Sequence, residues 1–129
     1  MIRIISFGYG HGEPPVAEFT YDVRGSLRNP FHDPALKELT GLDQPVYEHL
    51  LATPGAELWA FNAATSAAAI MQVTGATDFT IAFGCVGGRH RSVGLARRTY
   101  ELLTMTGQEA VIEHRDIDRP LLPPGMHSR

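Results

Sequence analysis

Phe79-Thr80-Ile81-Ala82-Phe83-Gly84-Cys85-Val86-Gly87-Gly88-Arg89-His90-Arg91-Ser92-Val93-Gly94-Leu95-Ala96 runs from an apolar stretch through a glycine turn into the start of a helix. A strand, a tight turn and a helix N-terminus in that order gather unpaired backbone N–H groups and the positive end of a helix dipole at one point. Arg89, His90 and Arg91 add side-chain donors there, so the occupant this stretch predicts is an anion, and a phosphate above others. The strand–helix alternation continues through residues 90–105, predicted helical and ended by Gly107, to a last strand over 110–113. This is the pattern of a βαβ unit. It predicts an α/β domain of three layers, a small and mostly parallel sheet flanked by helices.

Working outward, Ile2-Arg3-Ile4-Ile5-Ser6-Phe7 reads as the first strand, and Gly8-Tyr9-Gly10-His11-Gly12 with Pro14-Pro15 reads as a loop. Phe19, Tyr21 and Val23 alternate with Thr20, Asp22 and Arg24, a period of two that sets Asp22 and Arg24 on one face. Asn29-Pro30 and Asp33-Pro34 mark an irregular loop, followed by a predicted short helix over 35–39. Asp43 is placed as the N-cap of a helix over 44–52. The alanine-rich stretch 57–73, between Pro54-Gly55 and Gly75, is the clearest helix in the chain. Trp59 and Phe61 within it read as core. Ligands of parallel sheets bind at the carboxyl ends of strands, so residues 8–12, 22–24 and 84–92 are expected to converge on one pocket.

Composition bounds the function. The 129 residues, 43% hydrophobic and 19% charged, are enough for one domain with its own core. No signal peptide and no apolar run of membrane-spanning length is present, so a cytoplasmic protein is expected, with no membrane partner. The single cysteine, Cys85, rules out a disulfide framework. Six histidines at positions 11, 32, 49, 90, 114 and 127 include no i, i+4 helical pair, so neither a metal nor another cofactor is expected. Eleven basic against 14 acidic residues, a net charge of −3, argue against broad nucleic-acid binding. Small residues at 63, 64, 67 and 68 would let the alanine-rich helix pack closely on the sheet or on a second copy in a homo-oligomer.

The ordered series Ser6-Phe7-Gly8, Tyr21-Asp22-Val23-Arg24, Asn29-Pro30, Asp33-Pro34, Leu39-Thr40-Gly41, Pro45-Val46 and, above all, Ile81 through Ser92 resembles the C-terminal domain of the RapZ family of RNase adaptor proteins. The resemblance covers roughly residues 4–117. It implies a fold similar to part of phosphofructokinase, a pocket for a phosphosugar with glucosamine 6-phosphate as the family ligand and, for full-length members, RNA binding and partnership with an endoribonuclease. Two features depart from those members. No Gly-x-x-x-x-Gly-Lys-Ser/Thr loop occurs, so the chain reads as a stand-alone domain over 1–118 without the N-terminal nucleotide-binding domain, followed by a flexible Pro-rich tail over 119–129. The lysine- and arginine-rich ending of RNA-binding members is replaced by Asp116-Ile117-Asp118-Arg119-Pro120-Leu121-Leu122.

The function predicted first is therefore that of a sensing or adaptor module for a small phosphorylated metabolite. Cys85, Val86, Gly87, Gly88, Arg89, His90, Arg91 and Ser92 would hold the phosphate, with Gly8 beside them, and Asp22, Arg24 and Thr20 would read the rest of the ligand. Two alternatives stand beside it. Cys85 through Ser92 also fits Cys-x-x-Gly-x-x-Arg-Ser, the phosphate loop of cysteine-dependent phosphatases, with Cys85 as nucleophile and Asp22 or Asp33 as acid, although Gly84 stands where those enzymes have histidine. An RNA-binding adaptor of an RNase, or a nucleotide-binding protein, is the other.

Overall fold

A computed structural model describes residues 1–127 of the chain. Four strands, β1 (Ile2–Gly8), β2 (Phe19–Asp22), β3 (Phe79–Cys85) and β4 (Ala110–His114), form one sheet in the order β2-β3-β1-β4, every pair parallel. Three helices, α1 (Gln44–Leu51), α2 (Ala56–Thr74) and α3 (Arg91–Met105), pack with it. The α/β class with a parallel sheet covered by helices is the one the sequence predicts. No helix among the described residues is long and apolar enough to cross a membrane.

The central strands are apolar almost throughout because a parallel strand is buried on both faces. In β1 only Arg3 is exposed, and in β3 only Thr80 is partly so. Ile2, Ile4, Phe79, Ile81 and Phe83 join Ala56, Ala60, Ala63, Ala64 and Ala67 of α2 and Leu95, Ala96 and Leu103 of α3 in one core. The alanines let α2 approach closely. Each of the larger side chains, once buried, contributes roughly 2–3 kcal/mol of hydrophobic stabilisation. The edge strand β2 keeps the predicted alternation, with Phe19 and Tyr21 half-buried and Thr20 and Asp22 exposed. Tyr21 stacks on Phe83 at 5.3 Å and meets Trp59 edge-on at 5.4 Å. Trp59 thus packs against the core as expected, while Phe61 does not and is 52% exposed.

The short helix predicted over 35–39 does not form. Asp33 closes a turn instead, its carbonyl accepting from Leu36 and Lys37 N–H and its carboxylate from Ala35 N–H. Leu39 then bonds back only three residues, to Leu36. Five residues supply too few hydrogen bonds to offset the cost of nucleating an α-helix. Asp43 does precede α1, but its carboxylate accepts from Thr40 N–H at 2.8 Å, and only its carbonyl serves the helix, at Val46 and Tyr47 N–H.

Register places the site. Gly8 lies opposite Cys85 and Asp22 opposite Gly84, so β1, β2 and β3 end side by side. From β1 the chain crosses past β3 to β2, whereas from β3 it crosses past β1 to β4. Neighbouring strands that send their connections in opposite directions create the switch point at which α/β sheets bind ligands.

Candidate functional site

At that switch point the β1 and β3 loops are in contact. Gly88 has φ +68°, a left-handed conformation that favours glycine, and a Cβ there would lie 2.5 Å from Gly8 N. A Cβ on Gly8 would lie 2.4 Å from the Gly87 carbonyl carbon. The two glycine loops therefore close on each other only without side chains. Carbonyls of the β3 loop face the protein: Val86 accepts from Gly10 N–H, Arg89 from Gly41 N–H and His90 from Gly94 N–H. Among the described residues no backbone N–H of residues 86–90 donates to another backbone group. A row of open donors thus leads into the N-terminus of α3, where the helix dipole adds positive potential.

The three consecutive cations diverge. Arg89 turns to the carbonyls of Leu39, at 3.1 Å, and Glu38. His90 is buried and donates from Nε2 to the Lys37 carbonyl at 3.0 Å. Burial first, and Arg89 and Arg91 after it, lower its pKa to about 4, so it is neutral at physiological pH. Both residues fasten the turn over 37–41 to the loop. Arg91 is different. It is 1% exposed, donates from one terminal nitrogen to the carbonyls of Arg24 (2.8 Å) and Leu27 (3.2 Å), and leaves its buried Nε with no partner. Burial pulls its pKa down from the ordinary value, with Cys85 and Asp22 opposing the effect. The described residues give it no ion pair of its own. Beside it the buried Cys85 thiol donates to Ser92 Oγ at 3.1 Å.

Asp22 and Arg24 face each other as the alternation predicts, joined by a two-pronged pair at 2.9 and 2.7 Å, and the Arg24 guanidinium lies 3.8 Å over the Tyr9 ring. They sit next to the loop but do not line the cleft it forms, and neither does the exposed Thr20. Gly8 has its N–H committed to Asp116 Oδ2 at 2.8 Å. The cleft itself has Cys85, Gly87, Arg89, His90 and Arg91 on one side and Asn29, residues 119–122 and His127 on the other. Its lining carries three arginines and no carboxylate, in a chain of net charge −3. The free space inside is about 10 Å³, room for roughly one water.

Sequence reasoning did not find three of the residues that build this site. Asp116, fully buried, holds Gly8 N–H, Arg115 at 2.9 Å and Arg119 at 3.3 Å. Burial would raise its pKa, but Arg115 and the Gly8 N–H prevail and hold it below the ordinary carboxylate value. Its one sequence signal was its place just after β4, at the carboxyl end of a strand. Asn29 stood out only as part of Asn29-Pro30, a loop marker, and His127 not at all, because their pairing joins positions 98 apart. The segment from Arg119, expected as a flexible tail, lies against the cleft as far as it is described. Among the described residues no group of three His, Cys, Asp or Glu is placed to hold a metal ion.

The family model for the RapZ C-terminal domain matches residues 1–118, from the first strand to just past Asp116. The chain belongs to this family. Relatives of the RapZ C-terminal domain in this chain include proteins named nucleotide-binding protein from Petrotoga mobilis, 40% identical over 121 residues, from Rhodospirillum centenum, 43% identical over 121, and from Thermus thermophilus, 39% identical over 132. Each alignment covers 92% of this chain but only 42%, 36% and 44% of the respective relative. The chain therefore spans about two fifths of the length of the relatives it matches. The RapZ match ends at residue 118, whereas the cleft wall of residues 119–122 and His127 lies beyond it.

Proposed function

We propose that this RapZ-type domain is a binding module for a small phosphorylated metabolite, a phosphosugar of the glucosamine 6-phosphate kind, held by residues 84–92. One observation carries the reading. Arg91 is a guanidinium removed from water, with an unpartnered Nε, set beside a row of unused N–H groups at a helix N-terminus. A buried charge without a counter-ion is costly, and a bound phosphate both neutralises it and accepts from the open donors. In the adaptor role that the family membership suggests, ligand occupancy would be passed on to an RNA or endoribonuclease partner. The relatives named nucleotide-binding are more than twice as long, so a nucleotide belongs among the ligands to be compared.

The test is a thermal-shift series with inorganic phosphate, glucosamine 6-phosphate and nucleotides on wild type and Arg91→Lys, each referred to its own ligand-free midpoint. Lysine keeps the charge but has one nitrogen in place of the guanidinium fork, so it cannot hold the two carbonyls from one nitrogen and present another to the anion. One phosphosugar should raise the wild-type midpoint by mass action, and the variant should lose that rise. No shift with any phosphorylated compound sinks the reading.

A second reading, a cysteine-dependent phosphatase, is favoured by the Cys85–Ser92 contact at the start of α3. It lacks an acid for the leaving group. No carboxylate lines the cleft, His90 is neutral with its Nε2 proton committed to a carbonyl, burial keeps His127 neutral as well, and Asp22 is paired with Arg24.

A further inference from the structure

Resting on the reading of residues 84–92 as a phosphate site, we propose that residues 119–127 form a lid of that site and that His127 is a ligand-contacting residue, donating its Nε2–H to the bound anion. The hydrogen bonds determine which nitrogen carries the proton. Phe31 N–H donates to Asn29 Oδ1 at 3.1 Å, which fixes the orientation of the amide and leaves Nδ2 facing the imidazole. Asn29 Nδ2 lies 3.2 Å from His127 Nδ1, so the amide donates and Nδ1 accepts. The single proton of the neutral ring therefore sits on Nε2. That atom is buried, lacks a hydrogen-bond partner and belongs to a residue lining the cleft.

The ring is also held in place. It stacks on Phe31 with centroids 3.7 Å apart and planes 2° from parallel, a fit that leaves it little rotational freedom. Burial first, then the positive charges of His32, Arg91 and Lys37, hold its pKa below the ordinary value, with the Leu122 backbone opposing them, so the ring is neutral. An anion between His127 and Arg91 would accept from two buried donors: Arg91 Nε has no partner, and the His127 ring has only the Leu122 backbone of the same segment beside it, which completes no hydrogen bond to Nε2. The rest of the segment behaves as a strap. Arg119 is tied to the buried Asp116, and Leu122 lies over Gly10 closely enough that a Cβ there would meet its methyl at 2.2 Å. With space for only about one water beneath it, the strap must lift for a phosphate to enter and settle again for His127 to reach it. Residues 119–127 fall outside the family match, which ends at residue 118.

The experiment uses the full chain and inorganic phosphate, followed by calorimetry and by side-chain ¹H–¹⁵N NMR of the histidines. His127→Phe keeps the stack on Phe31 and removes the donor, while His127→Gln offers an amide N–H at a similar reach. Phosphate should shift the His127 Nε2 resonance. His127→Phe should weaken phosphate binding about tenfold and His127→Gln by no more than about threefold. If Arg91→Lys loses phosphate while His127→Phe binds it as tightly as wild type or more so, the lid's donor role is overturned and the anion site stands. If wild type does not bind phosphate, or Arg91→Lys binds it unchanged, the site reading fails and takes the lid with it.

Discussion

The Cys85 thiol is 3% exposed and donates to Ser92 Oγ at the entrance of α3, the place a phosphatase nucleophile would occupy. Attack that expels an alkoxide also requires that the departing oxygen be protonated, and the cleft has no carboxylate while burial keeps both of its histidines, His90 and His127, neutral. Wild type and Cys85→Ser should therefore both leave an alkyl phosphate monoester, whose departing alkoxide needs that proton, unhydrolysed above the buffer rate while retaining the same phosphosugar-induced shift. Turnover in wild type that disappears in Cys85→Ser would replace the sensor with a phosphatase. At this scale the sequence showed residue types but not their directions. Arg89, His90 and Arg91 are equivalent donors as letters, yet Arg89 and His90 turn to carbonyls of residues 37–39, and of the three it is Arg91 that has a buried nitrogen without a partner. Those carbonyls come from a turn some fifty residues earlier in the chain, a distance over which no local pattern speaks.

Among the elements, the ones legible in the sequence are those whose signals are local and redundant. The helix α2 had alanine propensity along its length and glycines at both ends, Gly55 at φ +92° and Gly75 at φ +74°. The strands β1 and β3 had the unbroken apolar runs of buried parallel strands. The turn over 35–39 had only a Pro-preceded start and two leucines, and its hydrogen bonds went to Asp33 instead. The C-terminal glycine of α2 offers a clean measure of such a signal. A Cβ at Gly75 meets nothing within 4 Å, so Gly75→Ala changes conformational strain alone. Denaturant unfolding should show a loss of about 1 kcal/mol for Gly75→Ala and less for Gly75→Asn, since asparagine tolerates the left-handed region better. A neutral Gly75→Ala would mean that the end of α2 frays and that the cap contributes nothing.

Across the whole molecule the titrating groups around the site act in one direction. Burial holds His90 at about 4 against an ordinary 6.5, lowers His114 and His127 as well, and Asp116 lies below its ordinary 3.8 through its arginine and backbone partners. For a histidine depressed on folding, the unfolded chain takes up the proton first, so its contribution is complete above pH 6.5 and is lost as pH falls toward 4. Protonated His90 would have to leave the Lys37 carbonyl pocket or hold a third charge beside Arg89 and Arg91, and the full shift corresponds to roughly 3 kcal/mol. His127 and His114 add to the loss in the same direction, and Asp116 follows at still lower pH, when its hold on Gly8, Arg115 and Arg119 is protonated away. Urea midpoints measured at pH 7, 5.5 and 4 should therefore fall steadily in wild type, whereas His90→Gln, starting lower at pH 7, should fall less steeply because the largest of these groups no longer titrates. Parallel curves for the two proteins would show that His90 does not carry the pH dependence. A ligand phosphate should flatten the wild-type curve, since an anion facing His127 favours the protonated ring in the folded state and so raises the value that burial has lowered.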